Sequence, residues 1–463
     1  MNESLLYIGL PLVLYLGLLL ILGFRAARKS NSENEYLLGN RALTTPAFVA
    51  TLVTTWYGGI LGVGEFTYSY GISTWVVFGL PYYFFALLFA FFIAPRIRTA
   101  QKYSIPHMLY DAYGKPAGFL ASIFLLFMTS PAPYILMLAI LIQQWLGIGF
   151  ISSVLAGTLF SIIYVYKGGF RSVVQTDKLQ FVLMFSGFLL LFYYLITSPL
   201  SLDLLPQKLD ALHKDFSGGM SWQEITVWFL IASWTFIDPG FHQRCSAAKN
   251  PQIARKGILI SIAFWFVFDM LTLTCGLYAF AFLPEIEPLM SYPELARYIL
   301  PSFFKGVFFT GLLATIMSTI DSYTFLSAMS FGRDLLWPFQ KKESVTRWVR
   351  YGLIISAFIS VLLILLVPSV IELWYGLGSI FIPPLLFPLI AVYFPTMRLK
   401  ARSTFRVMLI SFIITSGLFI LNNVSGQNYL GVEPFFPGMI FSALCYFAFL
   451  PKKTTSANNV GKY

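Results

Sequence analysis

Four hydroxyl side chains in the C-terminal half of the chain are spaced so that one helical face carries all of them. They occupy positions i, i+3, i+4 and i+7, and they are Thr315, Ser318, Thr319 and Ser322. The period of an α-helix places such positions on one face. The carboxyl group of Asp321 lies beside them, within an apolar run long enough to cross a bilayer. Oxygen atoms at membrane depth suit a small, hard cation.

The composition is that of an integral membrane protein. Of the 463 residues, 57% are hydrophobic, 18% aromatic and 11% charged, whereas about a quarter of a soluble domain is charged. The net charge is +11. Because the basic residues are concentrated in the connections on one side of the membrane, we expect no nucleic-acid partner. The three cysteines have neither metal nor redox spacing. The apolar run 5–24 lacks a basic leader and a cleavage site, which predicts a retained helix.

Thirteen segments are long enough to span a bilayer at about 17–25 residues each, with some tilted or broken. They lie at residues 5–24, 44–70, 72–94, 117–146, 149–166, 172–196, 223–243, 257–283, 303–331, 348–367, 369–394, 405–421 and 432–450. Alternate connections, beginning with the one after 5–24, carry 27 of the 31 Lys and Arg residues. The positive-inside rule therefore predicts an external N-terminus and a cytoplasmic C-terminus.

Two of these segments contain helix breakers at corresponding positions. One carries Gly58, Gly59, Gly62 and Gly64, and the other carries Asp238-Pro239-Gly240. A bilayer tolerates freed backbone groups only beside a cavity. The two breaks are five segments apart, and an odd number of helices per repeat inverts the second repeat. This pattern is typical of secondary transporters with a site at the midplane. The alternative is that the glycines only permit close helix packing.

Four motifs together resemble the sodium/solute symporter family, which includes bacterial proline, pantothenate, sialic acid and sugar symporters. They are EYLLGNR at 35–41, SIPHML at 104–109, GGFRSVVQTDKLQ at 168–180 and MSTIDS at 317–322. The likeness runs from about residue 5 to residue 450. It implies the leucine-transporter-type fold and the uptake of a small organic solute coupled to the sodium ion.

We therefore predict an all-α integral membrane protein with 13 transmembrane helices. Its core is a five-plus-five inverted repeat, with one extra N-terminal helix and two extra C-terminal helices. The predicted parts are the extra helix and internal linker 1–43, the first repeat 44–196, the external loop 197–222, the second repeat 223–394, the two C-terminal helices 395–450 and a disordered cytoplasmic tail 451–463.

The resemblance implies a first sodium site between the broken segment 44–70 and the oxygen-lined helix. Its ligands are the backbone carbonyls of Leu52, Thr55 and Thr315 and the hydroxyls of Ser318 and Thr319. Five neutral oxygens can replace the hydration shell of sodium without trapping the ion by charge. The alternative is that the two hydroxyls bond back to the preceding helical turn.

The resemblance also implies a second site, seen in some members of the family. The residues of this chain that correspond to that second site are Asp177, Ser318, Asp321 and Ser322. Either a second sodium ion or a proton on one carboxyl group would satisfy this site, because burial and like-charge repulsion raise the pKa of one acid when no cation is bound. Asp177 could instead be an interfacial helix cap.

The solute is expected at the midplane, between the two breaks. The candidate residues are Thr54, Trp56, Gly58, Gly59 and Asp238. The acid at Asp238 disfavours a purely anionic solute and indicates a neutral, zwitterionic or amine-bearing one. The alternative is that Asp238 caps a half-helix or pairs with His242 or Arg244. Gate candidates are Ser379 and Pro383, where prolines should break the segment 369–394.

Sodium-driven symport by alternating access is the function that these observations favour. A membrane enzyme needs a nucleophile–base pair or a metal cluster, and the three histidines form no such motif. The alternatives of similar fold are a proton-coupled symporter and a transporter-like sensor. A sensor would carry a signalling domain, and only a short tail follows Leu450. We expect a monomer in a plasma membrane, and the short loops favour the inner membrane of a bacterium.

Overall fold

The computed structural model describes residues 3–28, 32–199, 203–339, 344–426 and 430–448, so the predicted tail 451–463 lies outside the described residues. The described residues form helices and no β-strand. The helices of the first half are α1 Glu3–Ala27, α2 Glu33–Leu38, α3 Thr45–Trp56, α4 Ile60–Tyr70, α5 Leu80–Phe92, α6 Ala94–Ala100, α7 Ile105–Tyr113, α8 Lys115–Met128, α9 Ala132–Leu146 and α10 Phe150–Thr197. Those that follow are α11 Leu205–Lys208, α12 Ala211–Lys214, α13 Trp222–Ile231, α14 Trp234–Ile237, α15 Pro239–Ala247, α16 Pro251–Phe282, α17 Ser291–Ile299, α18 Ser302–Met329, α19 Val345–Leu366, α20 Val370–Tyr393, α21 Ala401–Ser425 and α22 Phe435–Ala448.

Ten helical stretches among the described residues are long and apolar enough to cross a membrane. Two shorter apolar helical stretches, Phe150–Phe160 and Phe435–Ala448, fall inside further predicted segments. The predicted segments 149–166 and 172–196 both lie within α10, where they are two helices that meet at a sharp bend at Gly169, whose φ of 56° and ψ of −146° are not helical. A Cβ at Gly169 would meet the Tyr36 carbonyl oxygen at 2.4 Å, so glycine allows this bend to pack against α2.

The oxygen-lined helix α18 lies at the centre of the fold. Every residue from Phe308 to Met329 is buried, because α1, α3, α9, α10 and α19 pack around it. A helix that is buried on all sides is a core helix of a large protein or a membrane bundle. Its hydroxyl groups therefore face other helices and not lipid.

The first predicted break is a mild distortion. A single 3₁₀ turn, Tyr57–Gly59, joins α3 to α4. A Cβ on Gly58 would lie 2.0 Å from Thr319 Oγ1, so this glycine permits the turn to touch α18. Gly58 thus permits close helix packing, but that is not its only effect, because the same turn ends the regular hydrogen-bonding pattern of α3.

The second predicted break is deeper. The chain leaves α13 after Ile231, forms the short helix α14, and becomes extended at Asp238 with φ −68° and ψ 116°. Pro239 then begins α15, a position where the missing N–H of proline costs no helical hydrogen bond. The two breaks therefore expose backbone to different extents.

The predicted break in segment 369–394 is wrong. Helix α20 runs from Val370 to Tyr393 through Pro383, Pro384 and Pro388. Packed transmembrane helices tolerate proline because neighbouring groups satisfy the freed carbonyls. Ser379 and Pro383 are buried within this helix, and their role as a gate stays a prediction.

Candidate cation and solute sites

A buried carboxylate joins three helices at the centre of the molecule. Asp177 of α10 accepts a hydrogen bond from the hydroxyl of Thr51 on α3 and another, at 2.6 Å, from Ser318 Oγ on α18. Asp177 is fully buried in the interior of α10. The alternative of an interfacial helix cap is therefore wrong.

Arg244, which the sequence offered only as a possible partner of Asp238, lies in the same cluster as Asp177. Its Nη2 donates to the hydroxyls of Thr51 at 3.1 Å, Thr55 at 2.8 Å and Ser322 at 2.8 Å. The same atom lies 3.8 Å from Asp177 Oδ2, and both side chains are fully buried. Burying a single charge is costly unless it is paired. Arg244 thus supplies the positive charge that Asp177 needs.

The residues of the predicted first sodium site are all buried, and the structure brings two of them into contact. Thr319 Oγ1 donates to the Thr55 carbonyl oxygen at 2.7 Å, so α18 meets α3 at the last residues before the 3₁₀ turn. The bonding-back alternative is wrong for Ser318 and Thr319, whose hydroxyls bond to other helices. The Thr315 hydroxyl, in contrast, donates to the Gly311 carbonyl of its own helix at 2.7 Å. Leu52 lies in the core of α3.

The residues of the predicted second site share the interior with Arg244. Ser318 bonds to Asp177, while the Ser322 hydroxyl lies 3.0 Å from the Thr55 hydroxyl. Asp321 is fully buried on α18, directly before Ser322. The Arg244 guanidinium donates to the Ser322 hydroxyl at 2.8 Å and lies 3.8 Å from Asp177 Oδ2.

Beside this cluster lies a cavity of about 120 Å³. A single water needs roughly a tenth of that volume, so the cavity can hold a small solute. Ten of its twenty lining residues are aromatic, and the two charged residues among them are Asp238 and Asp269. The lining belongs to both breaks, since it includes Trp56, Tyr57 and Gly59 at one and Trp234 and Asp238 at the other.

The five predicted solute residues separate into two groups. Trp56, Gly59 and Asp238 line the cavity. Thr54 donates its hydroxyl to the Ala50 carbonyl at 2.8 Å and is fully buried, and Gly58 faces Thr319. Within the 3₁₀ turn, Gly59 therefore faces the cavity and Gly58 faces α18.

Asp238 caps α15, as the alternative reading held. Its Oδ1 accepts from the Phe241 backbone N–H at 3.0 Å, and its Oδ2 accepts from the Tyr323 hydroxyl at 2.8 Å. Its suggested partner His242 bonds instead to the Phe236 carbonyl and to Tyr393. Capping and lining the cavity are compatible, because a carboxylate accepts more than two hydrogen bonds.

Asp269 of α16 is a second carboxylate at the cavity that sequence reasoning could not assign. It accepts a hydrogen bond from the Tyr57 hydroxyl at 2.7 Å and another from the Tyr83 hydroxyl. An acid in the middle of a long apolar helix was the available signal. The sequence did not show which side of α16 faces the first break.

The start of α3 is tied to the end of α15, away from the cavity. The Leu43 N–H donates to the Ala247 carbonyl at 3.0 Å, and the Lys249 N–H donates to the Leu43 carbonyl at 3.0 Å. Nearby, half-buried His107 lies 3.0 Å from Arg333 Nη2. Burial and the Arg333 charge lower the pKa of His107 to about 4, so the imidazole is neutral at pH 7. Hydrogen bonds thus join the start of α3 to the end of α15 at this end of the molecule.

Comparison with known proteins agrees with this geometry. The model of the sodium:solute symporter family matches residues 36–400. The sodium/pantothenate symporter of Escherichia coli (strain K12) is 25% identical over 467 residues, covering 94% of this chain and 95% of that protein. The sodium/proline symporter of Haemophilus influenzae is 26% identical over 420 residues, covering 81% and 82% of the two chains. A solved Na⁺-coupled sialic acid symporter superimposes with a TM-score of 0.80 at 18% identity, covering 96% of each chain.

The fold and the family match define a multi-pass membrane transporter and not an enzyme. The chain belongs to the sodium:solute symporter family. Its function is symport of a small organic solute coupled to sodium. The predicted family, function class and coupling ion are thus confirmed, and sodium replaces the alternative of a proton as the driving ion.

Proposed function

We propose that the chain imports its solute by alternating access, with one sodium ion bound at the first site in each cycle. The observation that carries this proposal is the contact of Thr319 with the Thr55 carbonyl at 2.7 Å. There a distorted helix meets an oxygen-lined helix directly beside the aromatic cavity. A sodium ion at this junction would hold α3 against α18 and so couple ion binding to the shape of the cavity.

The proposed ligands are the carbonyls of Leu52, Thr55 and Thr315 and the hydroxyls of Ser318 and Thr319. These residues fit sodium because they are buried and their oxygen atoms are neutral. To bind the ion, Thr319 would exchange its hydrogen bond to Thr55 for a shared contact with sodium. That exchange keeps the same two helices together, so it needs only a small local movement.

At the second site, the guanidinium of Arg244 is proposed to take the place of a second sodium ion. The guanidinium already contacts Thr55 and Ser322 and lies 3.8 Å from Asp177. A sodium ion among Asp177, Ser318, Asp321 and Ser322 would have to displace this buried charge. Repulsion between the two cations therefore favours one sodium ion per cycle.

The proposed architecture is the five-plus-five inverted repeat, with repeats at 44–196 and 223–394. Its support is the position of the 3₁₀ turn Tyr57–Gly59 and of the extended Asp238, each in the first helix of its half. With the N-terminus outside and the C-terminus in the cytoplasm, the tied ends of α3 and α15 lie at the cytoplasmic face. The cavity, which reaches Thr67 and Thr74 along and beyond α4, then lies on the outward side.

The proposed solute is neutral, zwitterionic or amine-bearing, because the cavity offers carboxylates and no Lys, Arg or His among its lining residues. The relatives are named for different solutes, pantothenate and proline, so kinship does not fix the molecule. The protein is further proposed to act as a monomer in a bacterial plasma membrane.

The test is uptake into membrane vesicles with sodium or potassium outside, using a solute found by thermal-shift screening of the purified protein. We expect uptake only with sodium. Replacing Ser318→Ala together with Thr319→Ala should raise the sodium concentration for half-maximal uptake at least about tenfold. Unchanged sodium dependence in the double variant would refute the assignment of the site.

A further inference from the structure

The described lining of the cavity carries two carboxyl groups, Asp238 and Asp269, and no Lys, Arg or His side chain. Asp238 is 3% exposed and Asp269 is half-buried. Among the described residues, neither carboxylate has a Lys, Arg or His nitrogen within 4.0 Å. Their donors are neutral: a backbone N–H and Tyr323 for one, Tyr57 and Tyr83 for the other. Neutral donors solvate a carboxylate but leave its charge uncompensated.

The charged group nearest to Asp238 in sequence, Arg244, interacts electrostatically with both Asp177 and Asp238, but its hydrogen bonds go elsewhere. It lies on α15 one and a half turns beyond Asp238, and its Nη2 is bonded to hydroxyls of α3 and α18. Its closest carboxylate is Asp177. Arg244 is thus shared between two acids, and no Lys, Arg or His nitrogen of the described residues lies within 4.0 Å of Asp269. A positively charged ligand would supply the charge that the cavity lining lacks.

Aromatic rings form walls around this charge. The rings of Trp56 and Tyr82 meet at 4.7 Å and 69°, and those of Tyr134 and Tyr323 meet at 5.3 Å and 68°. Tyr134 also approaches Trp374 at 6.4 Å. Rings that meet edge to face present their π-faces in several directions, as the sides of a box do. The faces of Trp and Tyr attract cations, most strongly when water is excluded.

We propose that the solute carries a positively charged nitrogen, held among Trp56, Tyr82, Tyr134 and Trp374 and paired electrostatically with Asp238 and Asp269. This rests on the proposed function and narrows its solute class to ammonium compounds. A bulky or alkylated ammonium group fits best, since it spreads its charge over a surface that rings can cover. An anionic solute would meet two carboxylates and no cation.

The experiment compares solutes of equal shape and different charge. Choline and its uncharged isostere 3,3-dimethylbutan-1-ol form one pair, within a panel of small quaternary, tertiary and primary amines, each with a neutral analogue. Binding to the purified full-length protein is measured by thermal shift and by tryptophan fluorescence, in sodium and in potassium. We expect sodium-dependent binding by at least one cation of the panel and none by its neutral analogue.

Substitutions of cavity residues test whether the cation binds in this cavity. Asp238→Asn and Asp269→Asn should each weaken cation binding, by about thirtyfold or more for the more buried Asp238. Tyr82→Leu should weaken it by about threefold to thirtyfold. The control is Glu65→Gln, which removes an acid of α4 that is not among the lining residues and should leave affinity unchanged.

Binding of ²²Na⁺ to the same samples separates the two proposals. If sodium binds and the ligands found are neutral or anionic, or if every cation of the panel fails, the ammonium inference is overturned while sodium coupling stands. If sodium does not bind, the proposed sodium site fails. Equal binding of choline and its neutral isostere would also overturn the inference.

Discussion

Two buried acids in the core, Asp177 and Asp238, show how the same chemical group can be built for different tasks. Asp177 has Arg244 at 3.8 Å and two hydroxyl donors, so its charge is balanced inside the protein. Asp238 has only neutral donors and lies on the wall of a cavity. The balanced acid organises the helices around the ion site, whereas the unbalanced acid is available to a ligand. Burial alone would not have separated these two roles.

The strongest way to break this comparison is to remove the internal cation. Arg244→Gln leaves Asp177 buried without its partner, and breaking a buried ion pair costs about 3–5 kcal/mol. We expect a large fall in the thermal unfolding midpoint of the purified protein. The double variant Arg244→Gln with Asp177→Asn should recover much of the loss, because no unpaired charge remains.

The matched control for this pair is Arg406→Gln, since Arg406 is exposed on α21. Its unfolding midpoint should stay near that of the wild type. If Arg244→Gln also left the unfolding midpoint unchanged, Asp177 would not depend on Arg244 to balance its charge. The contrast with Asp238 would then fail.

A smaller effect is expected from wedging apart the two helices at the sodium site. Gly58→Ala places a Cβ where Thr319 Oγ1 lies, 2.0 Å away, and such overpacking costs about 1–3 kcal/mol. We expect α3 to shift from α18 and sodium affinity to fall, as measured by sodium-dependent thermal stabilisation. Gly17→Ala is the control, since a Cβ there meets nothing within 4 Å. Equal sodium response in both variants would argue against a site at this junction.

Removing a neutral hydrogen-bond donor of Asp238 should lower stability less than removing Arg244, the cation beside Asp177. Tyr323→Phe removes one hydrogen bond of 2.8 Å to the carboxylate and keeps the ring, at a cost of about 1.5 kcal/mol. The unfolding midpoint reports the change, with exposed Tyr351→Phe as the control. A loss as large as that of Arg244→Gln would show that Tyr323, and not a ligand, balances Asp238.

The smallest change is expected at Thr315. Its hydroxyl bonds to Gly311 in its own helix, and its proposed sodium ligand is the backbone carbonyl. Thr315→Val keeps that carbonyl, so we expect a stability change of at most about 1 kcal/mol and an unchanged sodium response. A strong loss of sodium response would mean that the hydroxyl itself binds the ion.

Much of the architecture could be predicted because it depends on local patterns. The spacing of Ser318, Thr319 and Ser322 predicted a polar face, and all three hydroxyls bond to groups of other helices. The glycines at 58 and 59 and the sequence Asp238-Pro239-Gly240 marked both distortions. These signals are visible because helix period and helix breakers act over a few residues.

Features that depend on long-range packing could not be predicted. Arg244 was counted among the cytoplasmic charges because the apolar segment ended at residue 243, yet α15 continues to Ala247 inside the protein. The prolines of α20 were expected to break a helix that its neighbours keep whole. The meeting of Asp269 with Tyr57 and Tyr83 depends on the rotation of α16, which no pattern within that helix specifies.

The central claim is that a single sodium ion binds where α3 meets α18, because Arg244 already serves the neighbouring acid. Equilibrium binding of ²²Na⁺ to the purified protein tests it most directly, with Ser318→Ala plus Thr319→Ala beside Thr315→Val as the matched control. We predict one ion per chain for the wild type and for the control, and lost binding for the double variant. Two ions per wild-type chain, or undiminished binding by the double variant, would contradict the account.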